Sequence, residues 1–171
     1  MRAVQVYFRR AGDIEPENVA ERLLTDSRVD QVIIQAGASQ DGMPHDDAEQ
    51  ASYQVLTSDR GQLTFRARPL GFGRSFGDQD NDLLGRDPDG NHWLLHGELA
   101  TVDARLTKEG VLQYGAYPDA LRRIAGAFSG TSGRLWATAC LGYEFQFPPT
   151  SVHRRGSHGS LHRDDSTSPL I

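Results

Sequence analysis

A strand, a helix and a second strand follow one another at the start of the chain, and this succession constrains the fold more than any other feature. Residues 3–8 place Val4, Val6 and Phe8 on one face of a strand. Pro16 stands where a first helical position should be. Apolar residues then recur at helical spacing, and residues 32–34 form a second apolar strand. The order predicts a right-handed βαβ unit over residues 1–36, with its strands paired in parallel.

Residues 37–115 are predicted to form a β-hairpin and a long glycine- and aspartate-rich insertion. Residues 53–57 and 62–66 have strand composition and flank a short turn, in which Gly61 suits a positive φ. The rest of the segment has little periodicity, which is typical of surface loops. We expect the hairpin to stand apart from the main sheet.

Residues 116–171 are predicted to contain a second helix, a third strand of the main sheet and a histidine-rich loop. The helix opens near Pro118, and residues 134–139 form the strand. Arg122 and Arg123 are expected to face outward. The predicted buried stripe of the helix consists of Leu121, Ile124, Ala125 and Phe128.

The loop after this strand carries three of the six histidines: His153, His158 and His162. Gly156 and Gly159 lie close to His158 and favour a loop over a helix. A neutral ring nitrogen on such a loop can ligate a divalent metal, and zinc is the metal we expect. Two alternatives stay open at this point: an ordinary surface histidine, and a self-contained site made of all three histidines.

The C-terminal part resembles the alkaline phosphatase superfamily, and within it the phosphodiesterase and nucleotide pyrophosphatase-like branch. The resemblance lies in three stretches: residues 142–145 (Gly-Tyr-Glu-Phe), 157–165 (Ser-His-Gly-Ser-Leu-His-Arg-Asp-Asp) and 169–171 (Pro-Leu-Ile). It implies a three-layer α/β/α fold, of which only the C-terminal part is present, with the hairpin region inserted. It also implies that His158 is the last protein ligand of a two-metal site.

The same resemblance implies a metal-dependent hydrolase of phosphate mono- or diesters, acting on a phosphorylated small molecule. Its nucleophile would lie in a missing N-terminal half of the protein, so this chain alone is expected to be inactive. Two motifs in the chain imitate the earlier ligands of the superfamily. Asp41 and His45 have the right spacing in a loop context, and Arg60 replaces the histidine that an Asp-His-Gly motif needs.

Composition restricts the competing functions. The net charge of −5 and the small basic clusters argue against a nucleic-acid partner. No apolar run is long enough to cross a membrane, and no signal peptide is visible, which favours the cytoplasm. The single cysteine, Cys140, is interpreted as a small buried hydrophobic residue. The alternative function, from a different class, is a non-catalytic α/β module that binds a ligand or a protein.

Overall fold

The fold is built on a mostly antiparallel β-sheet. The computed structural model describes residues 2–8, 14–36, 51–68, 82–128, 132–146 and 159–166. Within them, seven strands form one sheet in the order β1-β9-β2-β3-β4-β6-β5, and β7 and β8 form a separate hairpin. The strands are β1 Ala3–Val6, β2 Val29–Ala36, β3 Ser52–Leu56, β4 Gln62–Ala67, β5 Leu83–Arg86, β6 His92–Gly97, β7 Ala104–Leu106, β8 Leu112–Tyr114 and β9 Leu135–Ala139.

Short helices accompany the sheet. Helix α1 spans Pro16–Leu24 with proline in its first turn, as predicted. A 3-10 helix spans Leu99–Val102, α2 spans Ala120–Ala127 and α3 spans Arg163–Ser166. Among the described residues, no helix is both long enough and apolar enough to cross a membrane.

The prediction of a three-layer α/β/α fold with a parallel sheet is wrong. The ladders that join the strands of the sheet are antiparallel throughout the described residues. Strand β9 lies between β1 and β2, and Ala137 is the register partner of both Val4 and Val32. The strands of the N-terminal unit therefore run in the same direction without pairing, because a distant strand separates them.

The expectation that the hairpin stands apart from the sheet is also wrong. Strands β3 and β4 form the predicted hairpin, and Gly61 has the predicted positive φ of 84°. However, β3 pairs with β2 and β4 pairs with β6, so the hairpin occupies the centre of the sheet. Four further strands, β5 to β8, lie in the segment predicted to be an insertion.

The two faces of the sheet bury separate cores. Helix α1 covers one face, where Ala20 packs in a cluster with Val32, Ile34, Leu135 and Ala137. Helix α2 and the small hairpin cover the other face. Their core is larger and consists of Ile33, Tyr53, Val55, Leu63, Phe65, Trp93, Leu95, Val102, Leu112, Tyr117, Ala120, Leu121, Ile124 and Phe128.

Candidate functional site

A cavity lies between helix α2 and the sheet. The alternation of side chains along the strands determines which residues form its floor. Successive side chains of a strand point to opposite faces. In β9, Leu135 and Ala137 therefore join the core beneath α1, whereas Trp136 and Thr138 point toward α2. Ile33 of β2 is the register partner of Trp136 and extends the same floor.

The other walls come from α2 and from the segment that enters α3. Helical spacing brings Arg123, Ile124 and Ala127 to one face, and Phe128 follows directly. The volume of this partly open space is about 140 Å³. We call this space the α2 cavity. Its described lining consists of Ile33, Arg123, Ile124, Ala127, Phe128, Trp136, Thr138, Gly159, Ser160 and Leu161.

Two residues of the cavity floor each carry a polar atom that has no hydrogen-bond partner among the described residues. The atoms are Trp136 Nε1 and Thr138 Oγ1, and both are buried from solvent. Thr138 as a whole is only 1 % exposed. A buried donor or acceptor left without a partner costs about 1–3 kcal/mol. Folded proteins satisfy nearly all such groups with protein, water or ligand. Both atoms are shielded from a water-sized probe, so they do not face the open space of the cavity.

Arg123 supplies a positive charge to the cavity wall. Its Nη1 donates to the carbonyl oxygens of Leu161 (2.7 Å) and Pro118 (3.3 Å). Its Nη2 donates to the carbonyl oxygen of Ser160 (3.2 Å) and to Ser166 Oγ (2.8 Å). All four acceptors are neutral. Burial lowers the pKa of Arg123, and the nearby carboxylate of Asp119 opposes this shift only in part.

The segment 159–166 is held in place by polar contacts at both ends. Ser160 Oγ donates to the buried carboxylate of Asp165, which also accepts from Arg2. The Arg163 backbone N–H donates to Ala116 O at 2.8 Å. The segment that forms this cavity wall is therefore bonded to Arg2 just before β1, to Ala116 before α2 and to Arg123 within α2.

A second polar cluster joins Asp30, Arg60 and Tyr117 at one end of the sheet. Arg60 Nη1 donates to Tyr117 Oη at 2.8 Å, and Tyr117 Oη donates to Asp30 Oδ2 at 2.9 Å. Arg60 Nη2 also bonds the carboxylate of Asp30. Burial, with the Asp30 charge, raises the pKa of Tyr117 and keeps the phenol neutral. Since these groups satisfy one another, we assign the cluster to structure, where it anchors the predicted turn.

The structure does not test the predicted metal ligand, because His158 lies outside the described residues. The same holds for His153, Asp41 and His45. His162 is described, and its Nδ1 accepts the backbone N–H of Asp164 at 3.2 Å while its ring packs edge-on against Tyr117. Among the described residues, no three His, Cys, Asp or Glu side chains converge as a metal site requires.

The sequence analysis missed the residues of the α2 cavity. Arg123 was expected to face outward, and it lines the cavity instead, whereas Arg122 is exposed as predicted. The sequence signal for these residues was in β9, where Trp136 and Thr138 alternate with the buried apolar residues Leu135, Ala137 and Ala139. A threonine hydroxyl and an indole N–H on one buried face need partners, and no local pattern in the sequence supplies them.

No match to a family model, a curated protein or a solved structure reaches significance for this chain. The site must therefore be interpreted from its own geometry.

Proposed function

We propose that this chain is a non-catalytic domain that binds a small molecule in the α2 cavity. One observation carries the proposal: a space of about 140 Å³ lies between α2 and the sheet, and apolar side chains form most of its described lining. Concave spaces with mostly apolar walls are the usual sites of small molecules.

The volume of the cavity supports a guest larger than one water. An engineered protein cavity of about 150 Å³ binds benzene, and the α2 cavity has about 140 Å³. A molecule of about six to eight non-hydrogen atoms is the size that this comparison favours. Ile33, Ile124 and Phe128 provide apolar walls for its body, as small-molecule sites usually do.

The chemistry of the described walls favours binding over catalysis. Two residues of the described walls carry a hydroxyl group. That of Thr138 is shielded from solvent, and that of Ser160 donates its hydrogen bond to Asp165. That carboxylate is already paired with Arg2, which makes it a poor general base. Arg123 and Trp136 can donate hydrogen bonds but cannot abstract a proton at neutral pH.

The phosphoesterase hypothesis stays a prediction. Its metal ligand, His158, and its phosphorylated substrate are untested, and the fold that the hypothesis implied is wrong. Hydrolysis of aryl phosphates by the purified chain with zinc or manganese, lost in His158→Ala, would contradict the non-catalytic proposal.

A nitrogen-labelled sample provides a direct test of binding. The chain has two tryptophans, so its spectrum contains two indole N–H signals, which the variant Trp93→Phe assigns. Small fragments of about benzene size are titrated into the wild-type chain. We expect a binder to shift the signal of Trp136 and to leave that of Trp93 in place, because Trp93 Nε1 already donates to Asp87 at 3.0 Å.

Thermal unfolding of the same samples is the second measurement. A ligand that binds the folded chain alone raises the midpoint of unfolding with its concentration. If no fragment in a diverse set moves either the Trp136 signal or the midpoint, the α2 cavity is only a hydrated space and the proposed function is wrong.

A further inference from the structure

We infer that residues 159–166 are a hinged cover of the α2 cavity, which opens and closes while the sheet and α2 stay folded. We call these residues the cover segment. The inference rests on the proposed function for what the opening serves, namely the entry of a small molecule into the same cavity. The opening itself is a property of the unliganded chain, so it can be measured without a ligand.

The cover segment forms one wall of the cavity. Its first three residues, Gly159, Ser160 and Leu161, belong to the described lining. The rest of that lining comes from β2, from β9 and from α2 with the residue that follows it. A movement of the cover segment would therefore widen the entrance of this partly open space without displacing a strand of the sheet or α2.

Polar contacts, more than apolar burial, hold the cover segment in place. Leu161 is its one hydrophobic residue and packs against the larger core while only partly buried. Helix α3, which ends the segment, has no buried residue. The ion pair of Asp165 with Arg2 is largely removed from solvent, and the desolvation of its two charges offsets much of their attraction. Segments with few buried apolar contacts open at a lower free energy than core strands do.

Arg123 makes the cover segment behave as one unit. Its guanidinium donates to the carbonyl oxygens of Ser160 and Leu161 at one end of the segment. The same guanidinium donates to Ser166 Oγ at the other end. Because one side chain of α2 bonds both ends, a movement that breaks one of these contacts weakens the others. We therefore expect the segment to leave α2 in a single step.

Gly159 is suited to be the hinge at the start of the cover segment. It has a φ of 111° and open space around the position of a Cβ. Glycine takes such a φ without the steric cost that other residues incur, and it reaches negative φ as readily. Hinges are a few residues at the ends of elements that absorb the change in backbone angles.

Hydrogen exchange of backbone amides tests the opening. The reporter is the Arg163 N–H, which donates to Ala116 O at 2.8 Å, and the reference is the ladder of β3 and β4 at the centre of the sheet. Corrected for intrinsic rates, Arg163 should exchange about a hundredfold faster than the reference amides. Low concentrations of urea should accelerate the reference far more, because local opening exposes little surface. If both exchange at one rate with one urea dependence, the segment opens only in global unfolding and the inference is wrong.

Two variants test the attachment to α2. Arg123→Met removes the bonds to both ends of the segment and should accelerate the exchange of Arg163 about tenfold relative to the reference amides. Arg122→Met is the matched control, since its side chain is 58 % exposed and bonds Asp89 and Asp119, and it should leave that exchange unchanged. Equal acceleration by the two variants would contradict the inference. If Arg123→Met does not fold, the urea dependence in the wild type still decides.

A fragment that binds in the cavity separates this inference from the proposed function. A guest beneath the closed cover stabilises the closed form, so the exchange of Arg163 should slow as the fragment concentration rises. A fragment that shifts the Trp136 signal without slowing Arg163 would show that the cavity fills independently of the cover, and the inference fails while the proposed function holds. Local opening in a chain that binds no fragment would support the hinged segment and overturn the proposed function.

Discussion

Arg2 and Asp165 form an ion pair that joins the start of the described chain to its last helix. The Asp165 side chain is 2 % exposed and that of Arg2 is 18 % exposed, so the pair is largely removed from solvent. Asp165 also accepts a hydrogen bond from Ser160, which lines the α2 cavity. The pair therefore holds one wall of the cavity against the sheet.

Replacing Asp165 should destabilise the fold strongly. Asp165→Ala leaves the Arg2 guanidinium buried without its partner, and such losses cost about 3–5 kcal/mol. The free energy of unfolding, measured by urea denaturation, should fall by about that amount. Asp164→Ala is the control: its side chain is 65 % exposed, and the change should stay within about 0.5 kcal/mol. If the two variants lower the free energy of unfolding equally, the ion pair stabilises the fold no more than an exposed carboxylate does.

Removing the hydroxyl of Thr138 should stabilise the empty domain. Thr138→Val keeps the shape of the side chain and deletes a buried polar atom without a described partner. We expect the unfolding free energy to rise by up to about 1 kcal/mol. Thr101→Val should act oppositely, because Thr101 Oγ1 donates to Glu98 O at 2.9 Å. A destabilised Thr138→Val variant would mean that this hydroxyl is already satisfied.

Replacing two of the glycines by alanine should have opposite effects on the stability of the fold. Gly97 has φ 103°, and a Cβ there would lie 2.3 Å from Gln62 O. Gly97→Ala should therefore destabilise the sheet by about 2 kcal/mol or more. Gly126 lies in α2 with open space around it, so Gly126→Ala should stabilise by about 0.5–1 kcal/mol. Thermal unfolding of both variants checks the pair, and a tolerated Gly97→Ala would contradict the register of β4 and β6.

The carboxylate of Asp87 should make the stability of the fold depend on pH in the acidic range. Burial alone would raise the pKa of Asp87, but hydrogen bonds from Trp93 and Asn91 outweigh it and lower the pKa below the usual value. A carboxyl with a depressed folded pKa contributes stability above its unfolded pKa of about 4 and loses it as pH falls through the folded pKa. Asp87→Asn should hence be destabilising at pH 7, by about 1–3 kcal/mol, with a smaller difference at pH 3.

Urea denaturation at both pH values measures this effect. Asp89→Asn serves as the control, because the Asp89 side chain is 58 % exposed and its ion pair with Arg122 is solvated. If Asp87→Asn lowers the free energy of unfolding by the same amount at pH 3 as at pH 7, the ionised form of Asp87 is not what stabilises the fold.

Local elements were predictable from the sequence because neighbouring residues specify them. Pro16 and the apolar spacing that follows produce α1, and Gly61 in its turn produces the hairpin of β3 and β4. Residues 32–34, predicted as an apolar strand, are buried, and so is most of β9. The parallel pairing that the order strand, helix, strand predicted was wrong. Helices and a second hairpin cover both faces of the sheet, and such strands are continuously apolar whether their neighbours are parallel or antiparallel.

By itself, the sequence determined where the helices α1 and α2 and the strongest strands lie, since their period and turn residues act over a few positions. Only the tertiary structure decided that β9 pairs between β1 and β2, a contact that joins residues more than a hundred positions apart. The α2 cavity depends on the same pairing. Trp136 and Thr138 come to lie opposite Arg123 because long-range packing, which no local pattern encodes, places α2 and the segment 159–161 over that face.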